Sequence, residues 1–205
     1  GTFTGTITGN DIIDNQPAMG TFTLSKSTCE TMGGFWGGST CTLDNSYTIP
    51  ASDTLTIPAG ITLLIKDTLT NDGTINNNSV INNDGTINNK GTITNNKILN
   101  NFDILINSGI ITNNDTIDNL NIIINDGTIN NVGKLNNVGT IENNDTITNA
   151  GSGTINNEFT NNAGTFTGTI TGNDIIDNQP AATTTQTTST TTAPTGTFTL
   201  GDANC

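Results

Sequence analysis

From Asp67 to Ala150 the chain repeats one pattern of apolar and polar positions every six residues, fourteen times without an insertion. The consensus is Gly-Thr-Ile-x-Asn-x, as in Gly73-Thr74-Ile75-Asn76-Asn77-Asn78. The third position is always aliphatic, from Leu69 and Ile75 through Leu105 and Ile123 to Ile147. The fifth is always asparagine: Asn71, Asn77, Asn83, Asn89, Asn95, Asn101, Asn107, Asn113, Asn119, Asn125, Asn131, Asn137, Asn143 and Asn149. A six-residue period with alternation inside each block belongs to strands, not helices. The pattern predicts short strands with Thr outward, the aliphatic inward, the fourth residue outward and Asn inward. The sixth residue and the next Gly then form a corner, where Gly would tolerate a positive φ. Inward asparagines are expected to bond corner backbone and to stack on one another, each bond contributing about 1 kcal/mol net.

The outward positions set the coil length. Phe102, Leu120 and Val138 lie 18 residues apart, as do Ile104 and Ile122, and Ile106 and Ile124. A 12-residue coil would instead put Phe102 over Asn114 and Ile106 over Asp118. Three blocks per coil predict an all-β fold, a triangular β-solenoid (β-helix) of 18-residue coils, with either handedness compatible with the pattern. Fourteen blocks make nearly five turns, about 22 Å of axis at the usual strand spacing. Such a fold buries one narrow row along an axis and not a broad core.

The pattern resembles the hexapeptide β-helices in part. Those carry a small inward residue two places before the aliphatic, a place taken here by Lys97, Asp103, Asp115 and Asn121. With the Cys-bounded segment Trp36-Gly37-Gly38-Ser39-Thr40-Cys41, the chain from about 29 to 150 is similar to repetitive cell-surface and filament proteins of archaea and bacteria. That resemblance implies a surface or filament role.

An open solenoid end needs a cap or a stacking partner. Residues 20–60 read as a disulfide-bounded N-terminal cap, with Phe35 and Trp36 as its plug. Residues 61–181 read as the solenoid, 182–195 as a Thr-rich linker of extended chain, and 196–205 as the start of a further unit. Residues 1–18 and 164–181 are the same eighteen-residue string, and Gly20–Leu24 returns as Gly196–Leu200. In both places Cys follows nine positions later, at Cys29 and Cys205. A tandem array explains this: residues 1–19 are the tail of a preceding unit or a docking strand, and Cys205 pairs outside this segment. A free thiol, or a bond to another chain, is the rival account of Cys205. Cys29 and Cys41 flank a short Gly-rich loop and read as a disulfide of an oxidising compartment. A zinc site would need further Cys or His ligands nearby, and there are none.

Composition then excludes several functions. The chain is 31% hydrophobic and 4% aromatic, with net charge −13, five lysines, no arginine and no histidine. Phosphate backbones need clustered cations, so nucleic acid is not an expected partner. No run reaches the roughly 18 apolar residues of a membrane span. Without His, a Ser-His or Cys-His nucleophile is impossible, and Lys97 and Lys134 are not stacked with paired carboxylates at 18-residue offsets. No enzyme activity, cofactor or firm metal site is expected. Calcium is the one candidate ion, at Asp11, Asp14, Asp174 and Asp177 in the repeated string. Two surfaces stand out. Thr74/Asn76, Thr92/Thr94, Ile110/Thr112, Thr128/Asn130 and Thr146/Thr148 stack on one face, resembling the threonine rows of ice-binding proteins. Phe102, Ile104, Ile106, Leu120, Ile122 and Ile124 form an apolar patch, expected to be a contact covered by a neighbouring subunit or an extended segment. The expected function is a structural subunit of an extracellular filament or cell-surface array, its partners copies of itself. The alternative is a surface adhesin, or an ice- or glycan-binding solenoid.

Overall fold

A computed structural model describes residues 19–157, and the backbone alone of three further strands at 165–167, 170–172 and 175–177. Asp11, Asp14, Asp174 and Cys205, the string 1–18, and residues 182–205 lie outside the described residues. Asp177 is described in backbone only.

The chain enters through β1 (Thr21–Thr23), helix α1 (Lys26–Thr31), β2 (Phe35–Gly37) and β3 (Thr40–Leu43). Ser25 starts the helix: its hydroxyl accepts from the Thr28 amide while the Thr28 hydroxyl accepts from the Ser25 amide, a reciprocal cap. A coil follows from β4 (Tyr47–Ile49), β5 (Thr54–Ile57) and β6 (Thr62–Ile65). The repeat then builds β7 (Thr68–Asn71), β8 (Thr74–Asn77) and β9 (Val80–Asn83), and above them β10 (Thr86–Asn89), β11 (Thr92–Asn95) and β12 (Ile98–Asn101). Next come β13 (Ile104–Asn107), β14 (Ile110–Asn113) and β15 (Thr116–Asn119), then β16 (Ile122–Asn125), β17 (Thr128–Asn131) and β18 (Lys134–Asn137). The stack continues with β19 (Thr140–Asn143), β20 (Thr146–Asn149) and β21 (Thr154–Asn157). The last described strands are β22 (Thr165–Thr167), β23 (Ile170–Gly172) and β24 (Ile175–Asp177).

Three sheets result, each taking every third strand from β3 onward. They run β1-β5-β8-β11-β14-β17-β20-β23, β22-β19-β16-β13-β10-β7-β4 and β2-β3-β6-β9-β12-β15-β18-β21-β24. All pairings are parallel except the β2–β3 hairpin. From β7 to β17 each strand residue pairs with the one 18 further on, as Ile93 with Ile111 and Asn95 with Asn113. The coil is therefore three blocks, and the described stack holds about six turns. The two-residue slip at Gly151-Ser152 is absorbed in a turn before β21, which still pairs in register with β18.

Within a strand such as Thr74–Asn77 exposure alternates as the sequence predicts, with the aliphatic and the Asn buried. The third-position residues from Leu69 to Ile147 are 0–1% exposed. Each stacks on its equivalent one coil away, and burying such a side chain contributes about 1.5–3 kcal/mol.

The corner glycines are corrected by the structure. Among the described residues the positive-φ glycines are Gly20, Gly33, Gly38, Gly60 and Gly151, all outside the regular blocks. The repeat glycines serve close approach: a Cβ on Gly91 would fall on the Gly73 carbonyl oxygen, and one on Gly109 on that of Gly91. Ser79 at this place is buried, whereas Lys97, Asp103, Asp115 and Asn121 there are not buried and their side chains run outward. Lys97 is exposed with its Nζ 3.0 Å from Asp115 Oδ2, and the Asn121 amide donates to Asp103 Oδ1 at 3.1 Å.

The cap is also corrected. Cys29 and Cys41 form a disulfide, their Cα atoms 5.7 Å apart, and both are fully buried. Phe35, expected to plug the first coil, is 68% exposed. In the antiparallel hairpin Phe35 pairs with Thr42, which points outward, while Trp36 pairs with the inward Cys41 and packs partly buried against the core. The plug is instead Phe22, Leu24, Met32 and Leu43, with the disulfide. Gly34 lets the hairpin close over it, because a Cβ there would lie 2.9 Å from both Cys29 Sγ and Leu43 Cδ2.

Candidate assembly surface

The interior of the solenoid is a polar ladder as much as an apolar one. Asn113 Nδ2 donates to Asn131 Oδ1 at 2.7 Å and to the Lys134 carbonyl at 2.8 Å, while Asn113 Oδ1 accepts from Asn95 Nδ2 at 2.8 Å. The same bonds recur in all three sheets, as from Asn71 to Asn89, Asn77 to Asn95 and Asn83 to Asn101, each 2.7 Å. From Asn71 to Asn131, each side-chain amide thus ties its own coil to the next through a side chain and a backbone carbonyl. The asparagines are buried and bonded to each other, which is the arrangement the repeat predicts.

Every bond of this ladder points the same way, from a coil to its C-terminal neighbour. The ladder begins where the preceding coil turns apolar: Asn71, Asn77 and Asn83 pair with Ile49, Ile57 and Ile65. Asn77 Oδ1 takes the Ser79 amide, while Asn71 Oδ1 and Asn83 Oδ1 face isoleucine and are left without a donor. Outside, shorter rows run the opposite way, as from Asn114 to Asn96 and from Asn96 to Asn78.

Asp53 is a site residue that the repeat did not reveal. It is 1% exposed and accepts the Met19 amide at 2.7 Å and the Ser52 hydroxyl at 2.9 Å. Its position relative to Leu55 matches that of Gly73 relative to Ile75. A carboxylate at that inward corner was the available signal that a donor must meet it. With the Gly20 carbonyl accepting from Thr54, this contact fixes the entering chain to the first coil.

Among the described residues, three of the four ion pairs join neighbouring coils: Lys66–Asp44, Lys90–Asp72 and Lys97–Asp115. The Lys97 ammonium, and after it the Thr116 hydroxyl, hold the Asp115 carboxyl below its usual range. The pairs are exposed and serve as corner rungs between coils. Among the described residues no group of three or more His, Cys, Asp or Glu is close enough to hold a metal ion, and no helix is long and apolar enough to cross a membrane.

The outer faces differ from one another. The sheet containing β5, β8 and β11 presents Thr54, Thr74, Thr92, Ile110, Thr128 and Thr146 in one row, and Thr56, Asn76, Thr94, Thr112, Asn130 and Thr148 in the next. These two outward rows carry no charge, and Ile110 is their only apolar residue, 45% exposed.

The apolar patch is brought together as its 18-residue spacing predicts. Ile104 pairs with Ile122 and Ile106 with Ile124, all four partly exposed. Phe102, Leu120 and Val138 form an exposed rail along the adjoining corner. On the rail's other side lies a groove of about 310 Å³, walled by Asn100, Asp118 and Asn136. Those three are themselves tied into an outward ladder, with Asn136 donating to Asp118 at 2.7 Å and Asn100 to Asn82 at 2.9 Å. Val138 extends the patch beyond the six residues named from the sequence.

Set beside protein-family models, curated proteins and solved structures, the chain matches none of them.

Proposed function

We propose that this chain is a structural unit of an extracellular filament or cell-surface array, stacked head to tail so that each cap closes the last coil of the unit before it. The observation that carries the reading is the eighteen-residue string at 164–181. Its strands β22, β23 and β24 continue the three sheets by pairing with β19, β20 and β21, and the same string occurs at 1–18, immediately before the cap. The string whose copy at 164–181 carries these strands thus also precedes the cap, and a second copy of the cap's opening sequence follows the linker. The buried disulfide fits an oxidising compartment outside the cell. The charge of −13 and the absence of histidine and arginine favour a structural over a catalytic role. Electron microscopy of the native material, with non-reducing mass analysis, tests the reading. Continuous filaments of regular repeat support it; discrete single particles with a free Cys205 thiol overturn it.

A second reading draws on the uncharged threonine face. An adhesin, or an ice- or glycan-binding solenoid, would use that flat hydroxyl array for binding. Saturable binding of glycans or ice by the isolated unit, abolished by Thr92→Lys and Thr128→Lys, tests it.

A further inference from the structure

We infer that the sheet bearing Ile104, Ile106, Ile122 and Ile124 is the contact face for a second copy of this chain. The two solenoids lie side by side with their axes antiparallel. This lateral contact is separate from head-to-tail stacking and uses none of its surfaces.

The argument starts from which residues would meet. Consider a two-fold axis in the interface, parallel to the strands and midway between β13 and β16. It sets β13 against β16 of the second copy and β10 against β19. Ile104 then meets Ile122, Ile106 meets Ile124, and Phe102 meets Leu120, so each of these six residues falls on another of the six, while Val138 at the edge meets Asp84. The pairing of Ile104 with Ile122 and of Ile106 with Ile124 within one molecule makes the patch nearly symmetric about that line. A two-fold along the solenoid axis instead reverses the strands, and would set Leu120 against Asp126 and Phe102 against Ser108. The isoleucines meet one another in either arrangement, but only the antiparallel one also sets Phe102 and Leu120 against apolar partners, as a self-complementary contact requires.

Charge points the same way. In a chain of net charge −13, copies repel unless the contact avoids opposing carboxylates. The antiparallel arrangement opposes Asp84 to Val138, Asp103 to Asn121 and Asp126 to Ser108. It also brings Lys90, which follows β10, beside Glu142, which replaces the isoleucine of Ile124 in β19. Lys90 Nζ lies 3.6 Å from Asp72 with its side chain 64% exposed, so it is free to reach outward. Within one molecule Lys90 and Glu142 sit three strand spacings apart, about 14 Å, and do not touch. Across the proposed contact they become neighbours, twice per dimer.

The size of the face sets the strength. Four strands of six-residue blocks cover roughly 19 Å by 17 Å, short of the roughly 800 Å² per partner of a tight dimer. The lone pair of copies therefore associates weakly, and long arrays would gain by repetition.

Sedimentation equilibrium of the 205-residue chain, taken up to about 1 mM, tests this. Wild type should dimerise reversibly, and Ile104→Lys with Ile122→Lys should be monomeric while keeping the wild-type strand circular dichroism. Lys90→Glu and Glu142→Lys should each weaken the dimer about three- to tenfold, and the two together should restore it to within about twofold. Because the two residues are apart in the monomer, that restoration has no intramolecular explanation. A wild type that stays monomeric to the highest concentration, an association indifferent to the isoleucine substitutions, or a charge swap without recovery would each overturn the inference. End-to-end dimers that survive the isoleucine substitutions would retain head-to-tail stacking and eliminate the lateral face.

Discussion

The buried asparagine ladder makes a prediction that separates it from a row of merely polar fillers. Asn113→Asp changes one NH2 to oxygen without altering volume. At neutral pH it removes the donor to Asn131 Oδ1 and to the Lys134 carbonyl, now 2.7 and 2.8 Å from a second acceptor. Leaving two buried acceptors unpaired costs about 1–3 kcal/mol each, and the buried carboxylate adds its own desolvation. The sum is about 4 kcal/mol at pH 7. Protonating the carboxyl restores one donor and removes the charge, leaving a cost of about 1.5 kcal/mol. The difference corresponds to a folded-state pKa raised about two units above the unfolded value of roughly 3.9. The sign follows: a raised folded pKa gives stability that is complete below about pH 4 and is lost as pH rises through about 6. Asn114→Asp, next in sequence but exposed, should cost under about 0.5 kcal/mol at either pH. Denaturant unfolding of both variants against wild type, at pH 7 and pH 3.5, measures this. Equal costs at 113 and 114, or a cost at 113 that does not change with pH, would refute the ladder as the source of inter-coil cohesion.

Three further predictions follow from particular contacts. Gly91→Ala places a methyl on the Gly73 carbonyl and should cost more than about 2 kcal/mol, whereas Asp145→Ala, at the exposed end of the same corner column, should be nearly neutral; thermal melts of the two decide. In the cap, Leu24→Ala should cost about 2–5 kcal/mol and Phe35→Ala under about 0.5, because Leu24 is 1% and Phe35 68% exposed; the reverse order in chemical denaturation would restore Phe35 as the plug. Lys97→Met should return the Asp115 carboxyl upward toward its ordinary range in an NMR titration. The depressed pKa means the pair stabilises the fold above the unfolded carboxyl pKa and is lost as pH falls through the folded one. With both side chains well exposed the stability change itself is small.

Much of the fold is legible in the sequence because a solenoid repeats its physics. Fourteen copies of one block make the inward rows unambiguous, and Phe102, Leu120 and Val138 measure the coil because like residues stack across parallel strands. The reason for the repeat glycines is not legible, since a turn that needs positive φ and a backbone that comes too close for a Cβ both select Gly. Only the position of the Gly73 carbonyl against Gly91 separates them. The cap occurs once, so no period marks its inward side. Phe35 and Trp36 differ in exposure because their antiparallel partners are Thr42 and Cys41, a pairing that adjacent residues do not announce. Asp53 escaped for the same reason: its partner, the Met19 amide, lies 34 residues away. The apolar patch was readable from spacing, whereas its self-complementarity needed the register of β13 against β16 and the place of Lys90 and Glu142 around it.

X-ray fibre diffraction from oriented native material tests the central claim, coils that stack continuously from one unit to the next. The account predicts a meridional reflection at about 4.8 Å, the strand spacing, with the strands perpendicular to the filament axis. It also predicts a longer axial repeat that is a whole number of coils. Filaments whose strand spacing lies across the axis, or particles that never elongate, would contradict it.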